Sequence, residues 1–343
     1  MRRRSFLASA ALTVPAMAYG LAMRIRNAWY DREGAVERAP LPVISVGNLA
    51  VGGTGKTPLV AWIARRLSAT GLVPAIVSRG YGGTAGVGPL VVSTGSGPRV
   101  NARTCGDEPH VLARSLKGVI VIVGSDRLEG ARAAAGAGAG AVILDDGFQH
   151  RRLARDLDIV VLDGRAPFDG GSVLPKGRLR ENPSALRRAH VVVLTRVHRN
   201  DPARRAIDAV SSQGFSGTIV RAGHRRTGFR DALGNEVPAP SRAFAFCGIG
   251  DPELFYADLE DAGVIVASFR AFRDHQPYTV ARWDEMASHA ASLHVPLVTT
   301  EKDLSRLEPV AGASLAKAPL IVMRIETVVW DEEPLMRAVQ RVL

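Results

Sequence analysis

Eight residues, Ala50-Val51-Gly52-Gly53-Thr54-Gly55-Lys56-Thr57, stand between an apolar run and a segment of helical periodicity. Glycines at this density let backbone N–H groups close around phosphate oxygens, and a helix start adds a favourable dipole. Lys56 then supplies a cation for β- and γ-phosphates and Thr57 a hydroxyl for Mg²⁺, in the strand–loop–helix context a Walker A loop requires. Ala50 stands where the general pattern has Gly. A second element, Ala141–Leu144 followed by Asp145-Asp146, is an apolar strand ending in carboxylates, the form in which an Asp supports the Mg²⁺ of a nucleoside triphosphate. Cys105-Gly106-Asp107-Glu108-Pro109 places paired acids before a helix. Read alone, its simpler account is Asp107 as an N-cap with acids in the first turn. Phe272–Tyr278 (FRDHQPY) puts an Asp-His pair in a polar loop. A lone His there is ordinarily solvated, yet a carboxylate, alone or with His, is suited to deprotonating an acceptor hydroxyl.

These residues need elements to hold them. Leu41–Val46 reads as a strand, and Thr57–Ser68 as a helix with Leu59, Val60, Ile63 and Leu67 on one face, ended by Gly71. Ala75–Ser78 is a second strand, entering the loop Arg79-Gly80-Tyr81-Gly82-Gly83. Val119–Val123, Ala141–Leu144, Ile159–Leu162 and His190–Leu194 are further strands. Apolar, β-branched strands alternating with helices predict an α/β fold with a doubly wound, mainly parallel sheet. Ala133–Ala141 is low-complexity and reads as a helix end and tight turn without chemistry. Beyond Val197 the order loosens: Phe215–Arg221 and Arg230–Val237 read as connecting strands or a hinge. A second set of strands (Ala243–Cys247, Val264–Phe269, Pro296–Thr300, Leu320–Val322) predicts a smaller α/β domain. The expected division is an N-terminal apolar helix over 1–30, a P-loop domain over 31–222 and the smaller domain with its hinge over 223–343.

The 343 residues are 46% hydrophobic and 22% charged, which excludes wholesale disorder and a polytopic membrane protein. Two cysteines cannot form a disulfide framework, and a reducing compartment is the simpler reading. The net charge of +11 favours a polyanion, whether nucleic acid, anionic lipid or phosphorylated substrate. Arg richness from a genomic composition bias explains it equally well. Ser5 to Met23 carries no charge and is flanked by Arg2, Arg3 and Arg4 and by Arg24 and Arg26. Three readings compete: a twin-arginine signal peptide; a marginal span of ~28 Å if fully helical; and an interfacial helix presenting Phe6, Leu7, Leu12, Met17 and Leu21 to anionic lipid.

Taken together, the motifs resemble the tetraacyldisaccharide 4′-kinase (lipid A 4′-kinase) family along nearly the whole chain. They are VGNLAVGGTGKTP (46–58), SRGYGG (78–83), GDEP (106–109), DDGFQHRRLARDLDIVVLDG (145–164), LPKGRLRE (174–181), FRDHQPY (272–278) and TEKD (300–303). The family shares a non-Gly residue at the first loop position, so Ala50 conforms; Gly250-Asp251-Pro252 departs from a frequent Gly-Asn-Pro. The resemblance implies a P-loop NTPase-like kinase using ATP and Mg²⁺ to phosphorylate the 4′-hydroxyl of tetraacyldisaccharide 1-phosphate. It implies phosphate binding by residues 50–57 and Mg²⁺ at Thr57, Asp145, Asp146 and Glu108. Asp107 is implied as base with His275 as dyad partner, and Arg180, Arg79, Tyr81 and Gln149 as contacts to the lipid. A lipid acceptor and an anionic membrane surface are the implied partners, with no nucleic acid. The expected location is the cytoplasmic face of the inner membrane, held peripherally or by one N-terminal anchor. A partitioning-type ATPase switch fits less well, since such loops carry an extra Lys where Val51 stands. An exported binding protein would leave an intact Lys56–Thr57 loop without ATP.

Overall fold

The computed structural model describes residues 12–32, 34–273, 276–312, 315 and 319–343. Helix α1, Thr13–Tyr30, comes first. β1 (Val43–Gly47) leads through the glycine loop into α2 (Lys56–Ala69). There follow β2 (Pro74–Ser78), β3 (Leu90–Thr94), the short α3 (Ala102–Cys105), α4 (Asp107–Ser115), β4 (Ile120–Val123), α5 (Arg127–Gly136), β5 (Ala141–Asp145) and β6 (Leu157–Asp163). A 3₁₀ segment, Pro183–Arg188, precedes β7 (Val191–Thr195), α6 (Arg204–Ser211) and β8 (Thr218–Asp231). The rest is β9 (Glu236–Val237), β10 (Arg242–Cys247), α7 (Pro252–Asp261), β11 (Ile265–Ala271), α8 (Val280–Ser292), β12 (Leu297–Thr300), α9 (Glu301–Ala311), β13 (Leu320–Val329) and α10 (Glu332–Gln340).

The strands form one mixed, mostly parallel sheet in the order β11-β10-β12-β13-β8-β7-β6-β1-β5-β2-β4-β3, with β9 on β8. β1 lies between β5 and β6, parallel to both, and all five of its residues are buried. Strands covered on both faces read as continuous apolar runs, which is why VISV and AVIL were legible. Leu59, Val60, Ile63 and Leu67 of α2 are buried with Ile44, Val46 and Ile143 in one cluster, each side chain contributing about 1.5–3 kcal/mol by leaving water. The chain leaves β1 towards β2 on one side and passes from β5 to β6 on the other. That reversal makes the carboxyl ends of β1 and β5 a topological switch point, where open α/β sheets bind ligands.

Two elements differ from expectation. β8 is a single strand of 14 residues, where two connecting strands were expected. It pairs parallel with β7 up to Arg221 and antiparallel with β13 from Ala222 onward. Its middle, Gly223 to Gly228, is mostly partly exposed and polar, so it lacked the apolar signal of a strand. β3 is an unforeseen antiparallel edge strand on β4, half-buried and short. α1 runs through Arg24 and Arg26 to Tyr30. Val14, Met17, Leu21, Ile25 and Trp29 are exposed along it, at 50% or more. Spacings of three and four place them on one face. Among the described residues no helix is long and apolar enough to cross a membrane.

Candidate active site

Lys56 and Thr57 open α2, behind Gly55 at φ +85°, a left-handed cap that suits glycine. The loop before them is held by its carbonyls. Buried Asn48 donates to Ala50 O (2.6 Å) and to Thr54 Oγ1 (3.0 Å), and Thr195 Oγ1 donates to Thr54 O (2.8 Å). Arg178 and Arg196 donate to Val51 O and Gly53 O at 2.8 and 2.9 Å. A phosphate takes N–H donors, so these bonds fix the loop without using the groups an anion needs.

Thr57 Oγ1 lies 3.1 Å from Glu108 Oε2 and 3.3 Å from Asp145 Oδ2. The hydroxyl thus joins the start of α2 to the first turn of α4 and the end of β5. Burial, and then the like charge of Glu108, push the Asp145 carboxyl upward. At Asp146 burial acts in the same direction, but Lys56 and Arg180 outweigh it and hold the carboxyl below its usual range. Lys56 Nζ is 3.5 Å from Asp146 Oδ1, and Arg180 Nη1 donates to Asp146 Oδ2 at 2.8 Å. Asp145 Oδ1 is buried and accepts no hydrogen bond, and Asp146 Oδ1 has only the Lys56 ammonium at 3.5 Å. A buried carboxylate oxygen without a donor, beside a hydroxyl, is what a hard cation satisfies. Among the described residues no three or more His, Cys, Asp or Glu side chains gather into a metal cage. Mg²⁺ does not need one, since it binds through one or two carboxylates with water and phosphate oxygens completing its shell. The residues present therefore fit Mg²⁺ carried with a nucleotide.

The N-cap reading of Asp107 is corrected. Gly106, at φ +92°, occupies the cap position, and Asp107 is the first helical residue. The capping side chain in this segment is Asn101, which serves α3. Asp107 Oδ2 lies 3.6 Å from Arg306 Nε on α9. Lys302 Nζ, one turn earlier on that helix, is 3.7 Å from Glu108 Oε1.

Arg180 and Gln149 join the same cluster. Arg180 Nη1 reaches Gln149 Oε1 at 3.4 Å, and Gln149 Nε2 donates to Asn48 O (2.9 Å) and Glu181 Oε1 (3.1 Å). α1 closes over this corner: Tyr19 donates to Arg180 O, Arg26 to Gln149 O and Asn27 to Glu181 Oε2. Arg79 and Tyr81 stand on the exposed loop after β2. His275 lies outside the described residues. Sequence reasoning missed Asn48, Glu181, Arg196, Lys302 and Arg306. Asn48, Glu181 and Lys302 fall inside quoted motifs and were open to notice; nothing local marks Arg196 or Arg306.

A Lys-Thr helix start behind a glycine loop, at a switch point and beside a paired-carboxylate strand end, defines a P-loop phosphotransferase. Residues 8–343 match the family model described as tetraacyldisaccharide-1-P 4′-kinase. The chain is 44% identical over 330 residues to the tetraacyldisaccharide 4′-kinase of Anaeromyxobacter dehalogenans strain 2CP-C, covering 93% of this chain and 86% of that one. It is 40% identical to the tetraacyldisaccharide 4′-kinase of Geobacter metallireducens, covering 98% and 99%. The crystal structure titled "apo" form LpxK from Aquifex aeolicus in complex with ATP matches with a TM-score of 0.76 at 29% identity, covering 97% of this chain and 99% of that one. The chain belongs to the tetraacyldisaccharide 4′-kinase family, and it is an enzyme: an ATP-binding kinase, a transferase of lipid A biosynthesis.

Proposed function

We propose that the chain transfers the γ-phosphoryl group of ATP to the 4′-hydroxyl of tetraacyldisaccharide 1-phosphate by in-line displacement. The observation that carries this reading is the convergence of Thr57, Glu108 and Asp145 on one point beside Lys56, with the buried Asp145 Oδ1 unsatisfied. Residues 50–57 bind the phosphates. Thr57, with one or two of the carboxylates of Asp145, Asp146 and Glu108, would hold Mg²⁺, which would supply positive charge against the charge developing on the transferred phosphoryl group. Lys56, drawn to Asp146 in this arrangement, is the side chain to swing onto the transferred phosphoryl group. Asp107 takes the proton of the acceptor hydroxyl, with His275 as its partner. Arg180, Gln149, Arg79 and Tyr81 contact the lipid disaccharide. Residues 31–222 and 223–343 act as two units joined through β8, so that the second brings its share of the site onto the first and excludes water.

α1 explains how an acyl-chain acceptor is reached. Its inner, polar side bonds to the backbone or side chains of Gln149, Arg180 and Glu181, while its outer side is a row of exposed apolar residues with Arg24 among them. An interfacial helix of this kind rests in the headgroup region of an anionic leaflet, and the positive net charge adds to that attraction. ATP use places the site on the cytoplasmic face of the inner membrane. The test is a transfer assay in detergent micelles with labelled ATP, Mg²⁺ and tetraacyldisaccharide 1-phosphate. Label appears on the lipid with the native chain and is lost with Lys56→Ala; ATP hydrolysis without labelled lipid would overturn the proposal.

A further inference from the structure

The TEKD run, 300–303, meets the site already described only through Lys302, yet the fold builds a buried polar unit around it. Thr300 caps α9, its hydroxyl accepting from Asp303 N and donating to Asp303 Oδ2 at 2.7 Å. Asp303 is fully buried. Its Oδ1 accepts from Tyr278 OH (2.8 Å), Gly248 N (3.0 Å) and Arg306 Nη2 (2.6 Å). Arg306 is itself buried, and it donates further to Gly248 O (2.6 Å), Gln276 O (3.3 Å) and Lys302 O (3.4 Å), with its guanidinium 5.7 Å from the Tyr278 ring centre. Asp303 thus ties three stretches of chain together: the end of β10, the end of the FRDHQPY run and the first turns of α9.

One charge in this unit faces outward to the first half of the chain. Arg306 Nε is 3.6 Å from Asp107 Oδ2, too long for a hydrogen bond and close enough for a direct ion pair. A guanidinium held by four donor contacts cannot follow a moving partner, so the carboxylate is oriented by the arginine and not the reverse. The peripheral part of the α9–α4 contact, Arg114 with Glu308, is partly exposed and ordinary. The inner part, with the buried arginine, meets the residue assigned as base.

We propose that Arg306 is a positioning residue for phosphoryl transfer, through which the Thr300–Asp303 turn fixes the Asp107 carboxylate against the acceptor hydroxyl. This rests on the assignment of Asp107 as base. Transfer catalysis is mostly placement, and displacement of a catalytic group by about 1 Å costs on the order of 10²-fold. The experiment compares Arg306→Ala, Arg306→Lys, Asp107→Asn, the double variant Asp107→Asn/Arg306→Ala, and Glu308→Gln in the full chain with the micellar lipid acceptor. Arg306→Ala is expected to lower kcat by ~30-fold or more with the KM for ATP within ~3-fold of native. Arg306→Lys keeps a cation beside Asp303, guards against loss of fold, and is expected to fall between the two. In the Asp107→Asn background, Arg306→Ala is expected to lower kcat by less than ~3-fold more, since the group it places has gone. Glu308→Gln breaks only the peripheral bridge and is expected to leave kcat unchanged.

Two failures are distinguishable. Native-like kcat in Asp107→Asn would remove the base assignment and this inference with it. A large loss in Asp107→Asn, together with an Arg306→Lys variant that has lost thermal stability but no kcat, would overturn the positioning role alone. Equal losses from Arg306→Ala in both backgrounds would do the same, because the arginine would then act independently of Asp107.

Discussion

Gly106 offers a sharp test of how the GDEP turn presents its acids. The residue sits at φ +92° and ψ 156°, a region that side chains other than hydrogen avoid, and a Cβ there would lie 2.7 Å from the Tyr81 carbonyl oxygen. Carbon–oxygen contacts settle at about 3.3–3.6 Å, so Gly106→Ala must open a gap of roughly 0.6–0.9 Å. Neither side yields easily, since both are backbone. Residues 84 and 85 bond to the Arg103 and Thr104 carbonyls, and α4 is anchored by buried Pro109, Leu112 and Ala113. Backbone strain of about 1–3 kcal/mol and overpacking of about 1–3 kcal/mol together set the expected loss of stability at roughly 2–6 kcal/mol. The displacement falls on the peptide that carries Asp107, so kcat should drop by ~10- to 10²-fold. The assay is urea unfolding, paired with kcat at saturating ATP under conditions where the variant is fully folded. Gly138→Ala is the control: its φ is +87°, no atom lies within 4 Å of the added Cβ, and it sits in the turn before β5. That variant should lose about 1–2 kcal/mol and no activity. A folded Gly106→Ala enzyme with kcat within about twofold of native would refute the claim that this turn's geometry sets the Asp107 position.

Two further outcomes are expected. Met17→Glu/Leu21→Glu, on the outer face of α1, should weaken binding to anionic vesicles at least ~10-fold while leaving turnover in micelles within ~3-fold; unchanged sedimentation with vesicles would reject the docking face. His150 has a buried Nε2 without a hydrogen-bond partner, and burial, then Arg127, lower its pKa to about 4. The folded state therefore keeps this ring neutral, whereas the unfolded chain protonates it near pH 6.5. The associated stability is fully present above that pH and is lost as pH falls from about 6.5 to about 4. After allowance for partial solvent screening it amounts to about 1–2 kcal/mol. Urea unfolding at pH 7 and pH 4.5 should show a smaller pH-dependent loss in His150→Gln than in the native chain, and an equal loss would contradict the shift.

The amino-acid sequence alone was enough for the phosphate loop, the strand–Asp-Asp element and the alternation of strands and helices. Each depends on backbone requirements or burial patterns that act within about ten neighbouring residues. A glycine loop must precede a helix to cradle phosphate, and a strand covered on both faces must be apolar throughout. The exposed apolar side of α1 was legible in part: Met17 and Leu21 stood out, whereas Val14, Ile25 and Trp29 join their row only on the helix face. Arg24 and Arg26 bounded the uncharged stretch in the sequence, and only the structure shows Arg26 bonded to Gln149 O. Only the tertiary structure decided the rest. Whether Asp107 was a cap or faced a partner depended on Gly106 taking the cap and on α9 arriving opposite. Whether β8 was two pieces or one depended on β13 pairing with a stretch too polar to declare itself. Arg306 illustrates the limit best: nothing local distinguishes it from the chain's many other arginines. Its meaning comes from burial beside Asp303 and from a charge far away in the chain, and both exist only once the two halves share a sheet.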